Sequence, residues 1–124
     1  MENKSENSQK NICQEISKGN FEQFKNYLTD NICWYILGNS PIKGKEEVLE
    51  VLKMSQLQSF PIITIKTVIE EKNIVVVEST GIATTIKGKP YNQTYCDVYH
   101  FENGKIKEFT TYLDTALSND VGKE

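Results

Sequence analysis

The chain has 124 residues with 14 lysines and no arginine, 17 acidic residues, a formal charge of −3 and 38% hydrophobic residues. That is one domain, 1–124, large enough for a hydrophobic core. It has no guanidinium fork for bidentate phosphate or carboxylate binding and no basic run suited to nucleic acid. The opening MENKSENSQKN is polar and lacks the apolar stretch of a secretory signal, and no apolar run approaches membrane-spanning length. Cys13, Cys33 and Cys96 are odd in number and widely spaced, which fits reduced thiols. The expectation is a cytoplasmic protein with no membrane partner and polar, frayed ends at 1–8 and 119–124.

Taken in chain order, the first half has helical periodicity. Ile12 and Ile16 lie four apart, and Lys18-Gly19 predicts the end of a first helix. Asn20 is the expected cap of a second helix, with Gln23 as reciprocal partner and Phe21, Phe24 and Leu28 on one face. Ile32 to Leu37 reads as a short strand carrying Trp34 and Tyr35, broken by Asn39-Ser40-Pro41. A third helix is expected from about Lys45, buried along Val48, Leu49 and Leu52. After Pro61 the pattern turns to strands: Ile62 to Glu70, Ile74 to Ile86 with a bulge or bend at Gly81, and Tyr91 to Phe101 after the turn at Lys87-Gly88-Lys89-Pro90. Helices first and strands after predict an α+β domain, with helices over one face of a curved antiparallel β-meander.

The segment QTYCDVYHFENGKIKEFTTYLDTA carries the candidate chemistry. Asn103-Gly104 between extended runs signals a tight hairpin, because both central residues of a type I′ turn need positive φ. With a simple two-residue turn, Asp97 lies opposite Thr110, and Tyr95, Asp97, Tyr99, Thr110, Tyr112 and Asp114 share one face. Asp97 and Asp114 then stand about 13 Å apart along the sheet, too far to share a proton. A bulge in either strand would flip the parity beyond it. Asp97 is read either as an acid in an aromatic pocket or as a surface strand acid, and Asp114 either as catalytic or as a structural cap of the last strand. Trp34 and Tyr35 read as core or pocket wall, and His100 faces the outer sheet surface. A single histidine without a partner at ligand spacing leaves no metal site expected, and no phosphate loop or nucleophile elbow is present.

WYILGNSPIKGKEEVLEVL followed by DVYHFENGKIKEFTTYLDTA resembles the SnoaL-like and ketosteroid-isomerase-like branch of the nuclear transport factor 2 superfamily. The resemblance spans roughly Ile12 to Leu117 and implies a cone-like sheet closed by N-terminal helices, usually dimeric. It places Asp97 where cyclases of this kind carry their acid–base aspartate, and Tyr35 near the position of the isomerase's proton-abstracting base. A phenol there cannot act as a low-pKa base, which argues against steroid isomerisation. Asp114 resembles the terminal aspartate of epoxide-hydrolase-like relatives, but their arginine is missing and only Glu78 is offered on the strand from Ile74.

The expected function is binding of a small hydrophobic molecule bearing a carbonyl or hydroxyl. Cofactor-independent acid–base chemistry of isomerase, cyclase or dehydratase type would be carried by Asp97, Tyr35 and Asp114. Trp34, Tyr95, Tyr99, Tyr112 and Phe24 are the expected ligand wall. No cofactor is implied, and the expected assembly is a homodimer through the outer sheet face, with Thr94, Cys96 and His100 near the contact. The alternative is a non-catalytic ligand-binding or dimerisation module of the same fold.

Overall fold

The computed structural model describes residues 8–59, 62–84, 88 and 90–114. Helix α1 spans Gln9–Ser17, α2 is the single turn Phe21–Phe24, and a 3₁₀ turn follows at Lys25–Tyr27. Strand β1 spans Leu28–Ile36, β2 Ile42–Lys43, and α3 Lys45–Ser59. Strands β3 (Ile62–Glu71), β4 (Ile74–Thr84), β5 (Pro90–Glu102) and β6 (Lys105–Asp114) complete the order. The architecture is α+β, as the sequence pattern predicts.

Local chemistry explains where α1 begins and ends. Ser8 Oγ accepts from the backbone N–H of Asn11 at 3.1 Å, which satisfies one of the free donors of the first turn. Its apolar stripe buries Ile12, Cys13 and Ile16. Gly19, at φ 104°, closes the helix, with its N–H on the Ile16 carbonyl at 2.9 Å. The expected capping box of the second helix does not form. Asn20 makes no side-chain cap, and its Nδ2 donates instead to Glu15 Oε1 at 2.6 Å. The helix therefore stops after one turn, and Leu28 enters β1 rather than a helix face.

The sheet order is β2-β1-β6-β5-β4-β3. Strands β3 to β6 form the expected antiparallel meander, but β1 pairs parallel with β6, so the sheet is mixed. The loop after β1 returns as the short antiparallel β2, which the sequence did not announce. Gly81 sits in regular register between Ile63 and Gln93, so there is no bulge at this position. Within the meander, irregularities fall instead between Ile65 and Thr67 on β3 and in the β5–β6 ladder just before the hairpin; the β1–β6 ladder also shifts register, between Leu28 and Cys33.

That second irregularity decides the interior. Phe101 pairs with Ile106 but His100 pairs with Glu108, so Lys107 is an extra residue on β6. Asp97 therefore faces Thr111, not Thr110, and every side chain beyond the bulge changes face. The reason is packing. A straight ladder would set charged Glu108 beside Tyr99 in the core, whereas the bulge brings in Phe109. Its ring stacks on Tyr99 at 5.0 Å and on Trp34 at 4.9 Å. The core is completed by Phe21, Leu28 and Ile32 from the first half and Val75, Val77, Phe101 and Ile106 from the sheet.

The hairpin turn itself forms as expected, with φ 54° at Asn103 and 82° at Gly104. Open space surrounds the Cβ position of Gly104, so a side chain there meets only backbone strain. Gly104→Ala is expected to lower the unfolding free energy by about 1 kcal/mol. A urea titration reads this as a lower midpoint with unchanged slope; an unchanged midpoint would contradict a type I′ turn.

Candidate functional site

Asp97 lies on the inward row of β5 with Tyr99 and Phe101, and is only 8% exposed. Across the ladders it is flanked by Val77 on β4 and Thr111 on β6. Thr111 Oγ1 donates to Asp97 Oδ1 at 2.7 Å, and Ser17 Oγ, from the last residue of α1, donates to Oδ2 at 2.9 Å. Each hydroxyl has a further partner. Trp34 Nε1 donates to Thr111 Oγ1 at 2.9 Å, and the Tyr99 hydroxyl lies 2.7 Å from Ser17 Oγ. With its one hydrogen committed to the carboxylate, Ser17 accepts from Tyr99. Two chains of hydrogen bonds thus end on one carboxyl: Trp34 to Thr111 to Oδ1, and Tyr99 to Ser17 to Oδ2.

The electrostatics follow from this burial. Desolvation pushes the Asp97 carboxyl above its ordinary range, and the bonds from Thr111 and Ser17 pull it only partly back. Burial, then the charge of Asp97, pushes the Tyr99 phenol well above its usual value, so it stays a hydrogen donor. The Cys13 thiol is raised by burial first and by Asp97 and Glu70 after it, which makes it an inert core group rather than a nucleophile. No group of three or more His, Cys, Asp or Glu side chains that could hold a metal occurs among the described residues.

The remaining predicted site residues distribute unevenly. Trp34 and Tyr99 are buried in the stack beside Asp97. Tyr95 is half-buried on the same inward row, and its hydroxyl donates to Gln93 Oε1. Tyr35 is 37% exposed and pairs with Thr110 on the outer face, opposite in parity to Trp34. Its phenol is raised, chiefly by the neighbouring Cys33 side chain, which makes it a still poorer base. Tyr112, at 48% exposure, is also turned outward by the bulge. Phe24 packs beside Tyr27 with ring centroids 6.2 Å apart, at the edge of the core. Asp114 ends β6 opposite Thr94, and its side chain lies outside the described residues.

The structure adds residues that the sequence reading passed over. Ser17 and Thr111 supply both bonds to Asp97. Ser79, opposite Tyr95 on the inward row, is 1% exposed, and its hydroxyl has no hydrogen-bond partner among the described residues. The alternation Val75, Val77, Ser79 marks that row, and a polar member in it was the available signal. A surface groove of about 550 Å³ between Lys25, Asp30 and the start of α3 contains none of these residues.

With this geometry in place, residues 10–109 match the SnoaL-like domain family, and the chain belongs to that family. An NTF2-like protein of unknown function from Cytophaga hutchinsonii is similar at 32% identity, covering 83% of this chain and 93% of its own, with a TM-score of 0.77. A candidate SnoaL-like polyketide cyclase from Jannaschia sp. CCS1 superposes at TM-score 0.76 and 11% identity, covering 87% of this chain and 85% of its own. A candidate isomerase from Bacillus subtilis does so at 0.68 and 18%, covering 89% and 86%. The last two share the fold alone. No curated protein matches the chain. No helix among the described residues is long and apolar enough to cross a membrane.

A buried hydroxyl without a hydrogen-bond partner costs stability. Ser79→Ala is therefore expected to leave the ligand-free fold as stable as before or to stabilise it by about 1 kcal/mol. Thermal melts check this; a loss of stability would mean that Ser79 already has a partner.

Proposed function

We propose that the chain binds a small hydrophobic molecule carrying a carbonyl or hydroxyl and moves a proton on it with Asp97, without a cofactor. The observation that carries this reading is the buried Asp97 carboxyl, bonded to neutral hydroxyls and with no cationic partner among the described residues that act on it. An acid whose charged form is disfavoured by burial is suited to donate to, or take a proton from, carbon or oxygen next to a carbonyl. Only two of the four lone-pair directions of the ionised carboxylate are used by protein hydroxyls, which leaves acceptor capacity for a ligand. Tyr99 and Trp34 orient the network rather than react.

A second reading has its own support. Both carboxylate oxygens are already bonded within the protein, as in a structural polar network, and that favours a non-catalytic binding module of the same fold. The two readings separate on Asp97→Asn. The amide fits the site: its oxygen accepts from Thr111 and its nitrogen donates to Ser17. A raised native pKa means the folded state holds the proton to higher pH. The stabilisation linked to that proton is complete below the unfolded value and is lost as pH rises through the folded value. Asp97→Asn should therefore flatten the decline of melting temperature across that window and leave neutral-pH stability equal or higher. In deuterium oxide, the wild type should speed exchange of the α-hydrogens of 2-tetralone over buffer, and Asp97→Asn should not. Equal exchange by both proteins would leave the binding module standing.

We further propose a homodimer through the outer sheet face. Ile62, Ile69, Ile74, Ile82, Tyr35 and Tyr112 are exposed on that face, an apolar load unusual for open solvent. Thr94, Cys96 and His100 lie among them in register. Sedimentation at micromolar concentration should give twice the chain mass, and Val98→Lys at the centre of the face should give monomer. A wild-type monomer at that concentration would refute the dimer.

A further inference from the structure

The two hydrogen-bond chains that meet on Asp97 are not equivalent, and the difference is chemical. Indole N–H can only donate, so Trp34 fixes the direction of its chain. Thr111 accepts from Trp34 and gives its single hydrogen to Oδ1. A proton placed on Oδ1 would make Thr111 Oγ1 the acceptor of two donors and leave its own hydrogen without an acceptor, in a residue buried in a strand. That is the costly arrangement.

The other chain has freedom. Ser17 and Tyr99 are both hydroxyls, either of which can donate or accept across their 2.7 Å contact. Ser17 is half-buried and is the last residue of α1. A helical serine can turn its hydrogen to a backbone carbonyl one turn back, so a hydrogen displaced on this side finds an acceptor. The groups facing Asp97 are Cys13 from α1 and Tyr99 on its own strand, with Cys96 adjacent and Glu70 acting on Cys13; all are neutral or negative.

We infer that Asp97 carries its proton on Oδ2, toward Ser17, and that Ser17 is the positioning residue that lets the carboxyl change charge, while Thr111 and Trp34 hold Oδ1 as a fixed acceptor. This rests on the reading of Asp97 as a proton-carrying group. It assigns the acid's reactive oxygen and makes the end of α1 the element that responds to its charge. No bond to carbon is involved: one proton joins Oδ2, the Ser17 hydrogen swings from that oxygen to its helix, and ionisation reverses both.

The carbonyl stretch of neutral Asp97 reads the assignment directly, as a band in the infrared difference between wild type and Asp97→Asn in mildly acidic buffer. If the proton is on Oδ2, the C=O is Oδ1, bonded by Thr111. Thr111→Val should then move the band to higher wavenumber, Thr111→Ser should restore it, and Ser17→Ala should leave it nearly in place. Thr111→Ser keeps the hydroxyl and serves where Thr111→Val fails to fold: there the band must stay at its wild-type position. A band that follows Ser17, or both sites, or neither, overturns the assignment of Oδ2 while leaving Asp97 as a proton carrier. Absence of any Asp97 band while the fold persists overturns both this inference and the function proposed above.

Discussion

The constraint on which the rest depends is that a carboxyl sits inside the sheet, between Val77 and Thr111, and must be satisfied there. A buried charge without partners is untenable, and a buried neutral acid still needs its hydrogen bonds. The partners come from separate parts of the chain: Ser17 from α1, Thr111 from β6, and Trp34 of β1 behind it. The contact from Ser17 to Asp97 spans 80 residues of sequence. Docking of the N-terminal helix, pairing of β1 with β6 and the register of the last hairpin therefore converge on one group. Loss of any single partner leaves the others facing an under-satisfied carboxyl, which is why this network constrains the fold more tightly than its number of bonds suggests.

Much of the architecture could be read from residue pattern. Lys18-Gly19 marks the end of α1, Asn103-Gly104 marks the hairpin, and the β-branched run after Pro61 marks the meander. The family resemblance added the cone shape, and Asp97, Trp34 and Tyr99 lie inside as expected. Local rules failed where a tertiary contact overrode them. Asn20 has a cap residue's chemistry, but its amide is drawn to Glu15, and the helix it would have started lasts one turn. The parallel pairing of β1 with β6 has no local signature at all, because nothing in Ile32 to Ile36 states which edge it will join.

The bulge at Lys107 is the instructive case, since its trace was present. Ile106 and Phe109 are separated by two charged residues, Lys107 and Glu108, which no strict alternation can accommodate with both apolar groups inside. An extra residue turns Lys107 and Glu108 away from the core and gives Tyr99 and Trp34 the ring between them. The same shift carries Thr111 in to Asp97 and sends Thr110 and Tyr112 out. A hydrophobic packing demand near the hairpin thus selects, two residues further on, the hydroxyl that bonds the acid.

The arrangement also bears on which acid–base chemistry the site can support. Hydrolysis by an activated water generally asks for a second carboxylate or a cation beside the first, and the groups bonded to Asp97 are two neutral hydroxyls. Tyr35, another of the expected catalytic groups, stands on the opposite face of the sheet. Among the described residues this network holds a single acid, whose burial disfavours its charge more than its two hydroxyl bonds favour it. Burial desolvates it, no cation among the described residues answers it, and the helix end that contacts it is the C-terminal one, where the backbone presents carbonyl oxygens and partial negative charge. Had an N-terminal helix end met this carboxyl, the ionised form would be favoured and the residue would serve as a base. A C-terminal end acts the other way, favouring the protonated form. Desolvation and backbone polarity thus act together toward the protonated form of Asp97, against the two hydroxyl bonds that favour its charge.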